Sequence, residues 1–325
     1  MNTHRRAFLH LITGAALTSM LPGTARAQAY PSRPVRIIVG FAAGSASDIL
    51  SRLIAQPLSD RLGQPFIVEN HGGAGGTLAA DMVVRAPADG YTLLYCGNAD
   101  AVSASMYNKL NYNFLRDIAP IASTARGPLV LVVHPSFPAN TVAEFITYAK
   151  SNPGKVTFAS AGIGTVAHMA GELFMAKAGV KLVHVPYRGL GPAMTDLLGG
   201  QVQAIFSTMP PAIAHVRAGR LRALAVTSTA RSEALPDLPT IGDFLSGYEA
   251  SLLNGIGCPR QTPAEVIDKL NEEINAIIAQ PAMKARLADL GNVPVAMTPR
   301  EFSKVLADET EKWGNLIRAN HIQPA

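Results

Sequence analysis

Short apolar runs alternate along this chain with stretches whose apolar residues recur every three or four positions. Val35-Arg36-Ile37-Ile38-Val39 is a β-branched run closed by Gly40, which predicts a strand. Small residues follow from Phe41 to Ser47. Ile49, Leu50, Leu53, Ile54, Leu58 and Leu62 then recur at helical spacing, and Gly63 stands where a left-handed residue ends a helix. Pro57 lies inside that pattern and predicts a kink or a break. Phe66–Asn70 predicts the next strand. The glycine-rich turn Gly72–Gly76 and a helix with Leu78, Ala79, Met82 and Val83 on one face come after it. Asp89-Gly90 turns into a strand over Tyr91–Cys96. A second series starts at Val130–Val133. It continues through a helix from Val142, a strand Val156–Ala159, a helix from Thr165, a strand Lys181–Val185, a helix from Pro192 and a strand Val202–Phe206; the run Leu224–Thr227 follows.

Three Thr-x-x-Glu boxes mark helix starts: Thr141/Glu144, Thr262/Glu265 and Thr298/Glu301. In such a box the threonine oxygen accepts from a first-turn N–H and the glutamate reaches back to the cap N–H. Pro263 and Pro299 fall at the first helical position, where a missing N–H costs nothing. Alternating strands and helices predict an α/β fold of mostly parallel sheets flanked by helices. Two successive series predict two such domains. The run Leu252–Gly257 and the terminal helices come late enough to return to the first domain.

Composition narrows the class. Of 325 residues, 48% are hydrophobic and 16% charged, which excludes a disordered chain. The net charge of +5 is partly an N-terminal effect. Three of the 28 basic residues and none of the 23 acidic ones lie in the first 27 positions, so the rest carries only +2. With one Trp and no basic block, a nucleic-acid track is not expected. Arg5 and Arg6 precede an apolar run from Ala7 to Leu21. Pro22 and Gly23 break it, and Ala25-Arg26-Ala27 offers small residues for a cut before Gln28. Residues 1–27 therefore read as an export signal, either twin-arginine or general secretory, and the mature chain is expected in the periplasm. Cys96 and Cys258 read as two buried thiols, although export would permit a disulfide.

Several chemistries lack their motifs. There is no Gly-x-Ser-x-Gly elbow, no His-Glu-x-x-His, no phosphate-binding loop and no dinucleotide fingerprint, so a hydrolase elbow, a cofactor or a metal site has no direct support in the motifs, and none is expected. Instead four loops share one design, in which a strand ends, small residues follow and a helix begins. They are Phe41–Asp48, Gly72–Thr77, Ser160–Thr165 and Tyr187–Gly191. Small residues let a ligand reach the backbone, and N–H groups at a helix start favour an anion such as a carboxylate. Such loops lie at the carboxyl edge of an open α/β sheet.

Longer segments carry a resemblance. Tyr30–Val39, Phe41–Asp48, Gly72–Gly76 and Asp89–Leu94 are similar to the Bug family, the extracytoplasmic solute receptors of tripartite tricarboxylate transporters. So are His184-Val185-Pro186-Tyr187-Arg188-Gly189, Thr195–Val202 and Ala218–Thr227. The resemblance implies a two-lobed clamshell of the periplasmic-binding-protein kind. Residues 28–128 and 250–325 would form one lobe and 129–249 the other. It implies no catalysis, but capture of a di- or tricarboxylate or an aromatic acid and delivery to a large and a small membrane subunit; the receptor itself is expected to be a monomer. It also implies ligand contacts from Phe41, Ser45, Ala46, Ser47, Asp48, Ala74 and Gly75 of the first lobe, and from Ser160, Gly162, Thr165, His168 and Ser207 of the second. Asp48 on its own also reads as a carboxylate complementing a helix start. Ala42, Ser45 and Ser207 depart from the family pattern; with Ser207 in place of an acid, an amino-acid ligand is disfavoured. Two other readings stay open: a receptor feeding a two-component sensor, and an exported hydrolase pairing Ser160 with His168.

Overall fold

The computed structural model describes residues 30–107 and 109–323. The chain divides into a unit of residues 1–32 and a second unit from Arg33 onward, to which every element below belongs. The export signal read in residues 1–27 lies outside the described residues.

β1 (Val35–Val39), α1 (Ala46–Leu62), β2 (Phe66–Asn70), α2 (Thr77–Val84), β3 (Thr92–Gly97), α3 (Asn98–Met106) and α4 (Phe114–Asp117) lead to the long strand β4 (Ile118–Val133). Next come α5 (Val142–Ser151), β5 (Thr157–Ser160), α6 (Val166–Ala178), β6 (Val183–Pro186), α7 (Leu190–Leu198), β7 (Ala204–Thr208), α8 (Met209–Arg217) and β8 (Arg222–Val226). The chain closes with β9 (Ser251–Pro259), α9 (Ala264–Ala279), α10 (Pro281–Asp289), β10 (Val293–Pro294) and α11 (Pro299–Ala319).

The strands follow the order β2-β1-β3-β9-β4-β7-β5-β6, with β8 and β10 also paired to β4. The sheet is mixed. β1 runs parallel to β2 and β3, and β5 parallel to β6 and β7, while β4 and β9 are antiparallel to their neighbours. β4 changes partner along its length. Ile118–Pro128 pairs with β9, and Leu129–Val133 pairs with β7 and β8. Phe145, Phe158, Phe174 and Phe206 are fully buried on the far side of that change, each burial being worth about 1.5–3 kcal/mol. Phe302 and Leu306 of α11 pack with Ile38 and Leu94 on the near side.

Local expectations meet the structure unevenly. α1 runs unbroken through Pro57, and Gly63 closes it at φ 70°. In α2 the buried face is Ala79, Ala80 and Val83, while Leu78 and Met82 are 58% and 37% exposed. The Thr298/Glu301 box forms in both directions. At Thr141 the hydroxyl accepts from Glu144 N, but the Glu144 carboxylate takes the N–H of Asn140 instead. The Thr262 box does not form. Its hydroxyl donates to Pro259 O, and Pro263 itself caps α9. Cys96 and Cys258 are buried free thiols. Burial pushes both thiols up in pKa, Cys258 to about 11, so neither is a ready nucleophile. Among the described residues, no helix is long and apolar enough to cross a membrane.

Candidate functional site

A cavity of about 610 Å³ opens where the loops after β1, β5, β6 and β7 meet. One wall is the loop Phe41–Ser47. Leu129 of β4 and Leu252 of β9 join it at the partner change of β4, and Ala161, Thr165, Arg188 and Thr208 come from the loops beyond. Ligands of open α/β sheets bind at this carboxyl edge of the strands.

Three helices start on this cavity, and their caps fix how. Ser45 caps α1 by accepting from Asp48 N at 3.3 Å. Thr165 caps α6 by accepting from His168 N at 3.3 Å, and its own hydroxyl donates to Gly162 O at 2.7 Å. Gly189 leads into α7, and its N–H donates to Ala161 O at 3.1 Å, tying the loops after β5 and β6 together. The Ser45 and Thr165 caps each satisfy a later N–H and leave the first two free, and Gly189 has no side chain to cap α7. The N–H groups of Ala46, Ser47, Val166, Ala167, Leu190 and Gly191 have no partner among the described residues. All six residues line the cavity. Each helix start also carries roughly half a positive charge, so the cavity favours an anion without using a charged side chain.

The Phe41–Ser47 loop is held from behind. The Asp48 carboxylate accepts from Gly44 N and from Arg52 Nε, both at 2.9 Å. Arg52 also donates to Asn70 Oδ1, and Asn70 Nδ2 donates to Phe41 O at 3.0 Å. Burial acts to raise the Asp48 pKa, but the Gly44 N–H, Arg52 and Asn70 outweigh it and hold the carboxyl below its ordinary value. Asp48 is thus ionised and spent on the loop, and it is not on the cavity wall.

Behind the loop after β5 lies a stack of rings. His168 stacks on His184 with centroids 4.0 Å apart, and His184 stacks on Phe158 at 4.8 Å. Ser160 Oγ lies 2.7 Å from His184 Nε2, so its ring partner is His184 and not His168. His168 Nδ1 accepts from Gly164 N at 3.3 Å. Burial, then the neighbouring His168, lowers the His184 pKa to about 3, so that ring stays neutral and is a weak base. These groups shape the turn from behind.

The sequence-nominated residues therefore divide. Phe41, Ser45, Ala46, Ser47 and Thr165 reach the cavity. Asp48, Ser160, Gly162, His168 and Ser207 stand behind its walls, the Ser207 hydroxyl donating to Thr208 O. Ala74 and Gly75 are also off the wall; Gly75 O accepts from Ser103 Oγ at 2.8 Å. Met194 and Leu198, one turn apart on α7, and His215 on α8 line the cavity and were not nominated. The i, i+4 apolar spacing of the first two was the available signal.

Near the Gly72–Gly76 turn sits Asp100, whose carboxylate accepts from Gly97 N at 2.9 Å. Burial pushes its pKa up to about 7, against the Gly97 N–H and its own N–H. A buried acid with a raised pKa binds its proton more tightly in the folded state, so stability falls as pH rises from about 4 to about 7. Urea denaturation across that range is expected to show a loss of order 3 kcal/mol from this group, absent in Asp100→Asn. An equal slope in the variant would show that Asp100 is not its source.

Taken together, cavity, helix starts and mixed two-part sheet define a two-lobed receptor for a small solute. The chain belongs to the tripartite tricarboxylate transporter family receptors, whose family model matches residues 50–322. It is similar to the protein BugT of Bordetella pertussis, 37% identical over 306 residues that cover 93% of each chain. Among solved structures, Rhodopseudomonas palustris Rpa4515 with adipate is similar at a TM-score of 0.87 and 32% identity, covering 91% of this chain and 100% of that one. MatC from the same organism, with bound malate, reaches 0.83 at 31% identity, covering 89% and 100%. Among the described residues, no three His, Cys, Asp or Glu side chains gather as a metal site.

Proposed function

We propose that this protein captures a small organic carboxylate in the periplasm and delivers it to the large and small membrane subunits of a tripartite transporter. The observation that carries the reading is the set of unpaired helix-start N–H groups around one cavity. Adipate and malate in the two similar structures support a carboxylate as the ligand class. The carboxylate sits against Ala46 and Ser47, with Phe41 as a wall and Thr165 at the facing loop. Asp48, Ser160, Gly162, His168 and Ser207 act by holding the loops in place.

The lobes would be residues 28–128 together with 250–325, and residues 129–249. The register of β4 supports this split, since its partner changes between Pro128 and Leu129. Ligand capture would then close the lobes about the two crossings. Thermal unfolding of the mature chain against a panel of carboxylates tests the reading. A true ligand at a hundredfold excess over its Kd adds about 2.7 kcal/mol of stability. If no carboxylate raises the melting temperature, the protein is not a carboxylate receptor.

A further inference from the structure

The chain passes twice between the two halves split at Pro128 and Ala250, and a buried polar side chain that the cavity does not use stands on each side of those passages. Thr227 follows β8 and is fully buried. Its hydroxyl accepts from Leu129 N at 2.8 Å and donates to Ala250 O at 2.5 Å; Leu129 O, the other acceptor in reach, is 3.1 Å away. The Thr227 backbone repeats the link. Thr227 N donates to Leu129 O at 2.9 Å, and Ala250 N donates to Thr227 O at 3.0 Å. Leu129 is the first residue of β4 to pair with β7, and Ala250 directly precedes β9. One residue of the 129–249 half therefore ties the outward passage to the return.

Asn98 works from the opposite half. It opens α3 and is 1% exposed. Its Oδ1 accepts from Leu253 N at 3.1 Å, and its Nδ2 donates to Ser251 O at 2.6 Å and to Glu309 Oε2 of α11 at 3.2 Å. Ser251 and Leu252 pair in turn with Pro128 and Gly127, so Asn98 holds both passages through β9. The neighbours Ala250 and Ser251 are thus fastened to different halves. The Glu249 carboxylate spans the same boundary by accepting from Ser251 N at 3.0 Å and pairing with Lys312 of α11, but that pair is partly exposed and holds less firmly than the buried links.

We propose that Thr227 and Asn98 are the two pins of the hinge. Thr227 fastens both passages to the second lobe and Asn98 fastens them to the first, so closure bends only the peptides Pro128–Leu129 and Ala250–Ser251. This rests on the lobe split proposed above and assigns residues to its hinge. Hinges are a few residues at the ends of elements, and both peptides lie at such ends. The Thr227 hydroxyl has no water to turn to, so its loss leaves the buried Leu129 N–H without a partner. Leu129 and Leu252 stand on either side of the bend and both line the cavity. The pins therefore also set how the two parts of the cavity wall face each other.

Spin labels on Arg85→Cys and Lys150→Cys, exposed positions on α2 and α5, report the spread of inter-lobe distances in the mature chain. No ligand is used, so the outcome does not depend on whether a carboxylate binds. Cys96 and Cys258 are buried and stay unlabelled. Thr227→Val keeps the side-chain shape and removes the hydroxyl. It is expected to broaden the distribution, with wider separations populated roughly tenfold more than in the parent, and Thr227→Ser should restore the parent spread. A second pair, Lys150→Cys with Arg220→Cys, lies within one lobe and should keep its spread in every variant. An unchanged inter-lobe distribution in folded Thr227→Val would overturn the pin and leave the lobe split standing. Equal broadening of both pairs would overturn the split as well. If Thr227→Val and Thr227→Ala both fail to fold, the hydroxyl holds the fold and not the angle, and the proposal falls.

Discussion

Gly97→Ala is expected to destabilise the fold by about 3 kcal/mol or more, a fall of roughly 5–10 °C in melting temperature. Gly97 lies at the end of β3, opposite Asn254 of β9. A Cβ there would stand 1.9 Å from Leu253 O and 3.0 Å from Leu253 C. Both atoms belong to the backbone of a paired strand and cannot swing aside as a side chain could. The Gly97 N–H also donates to buried Asp100, so a displaced strand leaves that carboxylate without its donor. Gly63→Ala is the matched control. Its φ of 70° disfavours alanine, but nothing lies within 4 Å of the new Cβ, so a cost of only about 1 kcal/mol is expected. Equal losses in the two variants, by thermal or urea unfolding, would show that β9 yields and that the close approach is unimportant.

Ala46→Pro should weaken carboxylate binding roughly tenfold to a hundredfold and leave the melting temperature of the free protein within about 2 °C. Position 46 opens α1, where proline is well tolerated. The residue before it, Ser45, sits at φ −69° and ψ 162°, the extended geometry that a following proline demands. The substitution therefore removes one N–H from the cavity and little else from the fold. Ala46→Ser keeps the N–H and should bind nearly as the parent does. If Ala46→Pro bound as tightly as the parent in calorimetry, the α1 amides would not be gripping the ligand.

What the chain disclosed beforehand follows from how local each feature is. The turn at Gly63, the Thr298 cap and the loops after β1 and β5 depend on residues next to one another, and they read correctly. The first half of β4 did not. Ile118–Pro128 holds Pro120, Gly127 and Pro128, which argue against a strand, yet it pairs with β9 because register shifts near Pro120 and Ser123 absorb the irregularity. In α2 the helix is too short for periodicity to choose a face, and the small residues Ala79 and Ala80 went inward in place of Leu78 and Met82. The cavity divides in the same way. Ala46, Ser47 and Thr165 were readable because strand, small residues and cap are consecutive. Asp48 and Ser160 were nominated as contacts because sequence cannot tell that Gly44, Arg52 and His184 already occupy their oxygens. Met194, Leu198 and His215 became wall residues only through packing between segments distant in the chain.

A crystal structure of the mature protein soaked with the tightest acid of the panel reaches the binding chemistry directly. The expected density places one carboxylate about 2.9 Å from the amide nitrogens of Ala46 and Ser47, with the α6 start across from it. A carboxylate gripped by side chains elsewhere, with those amides facing water, would contradict main-chain capture.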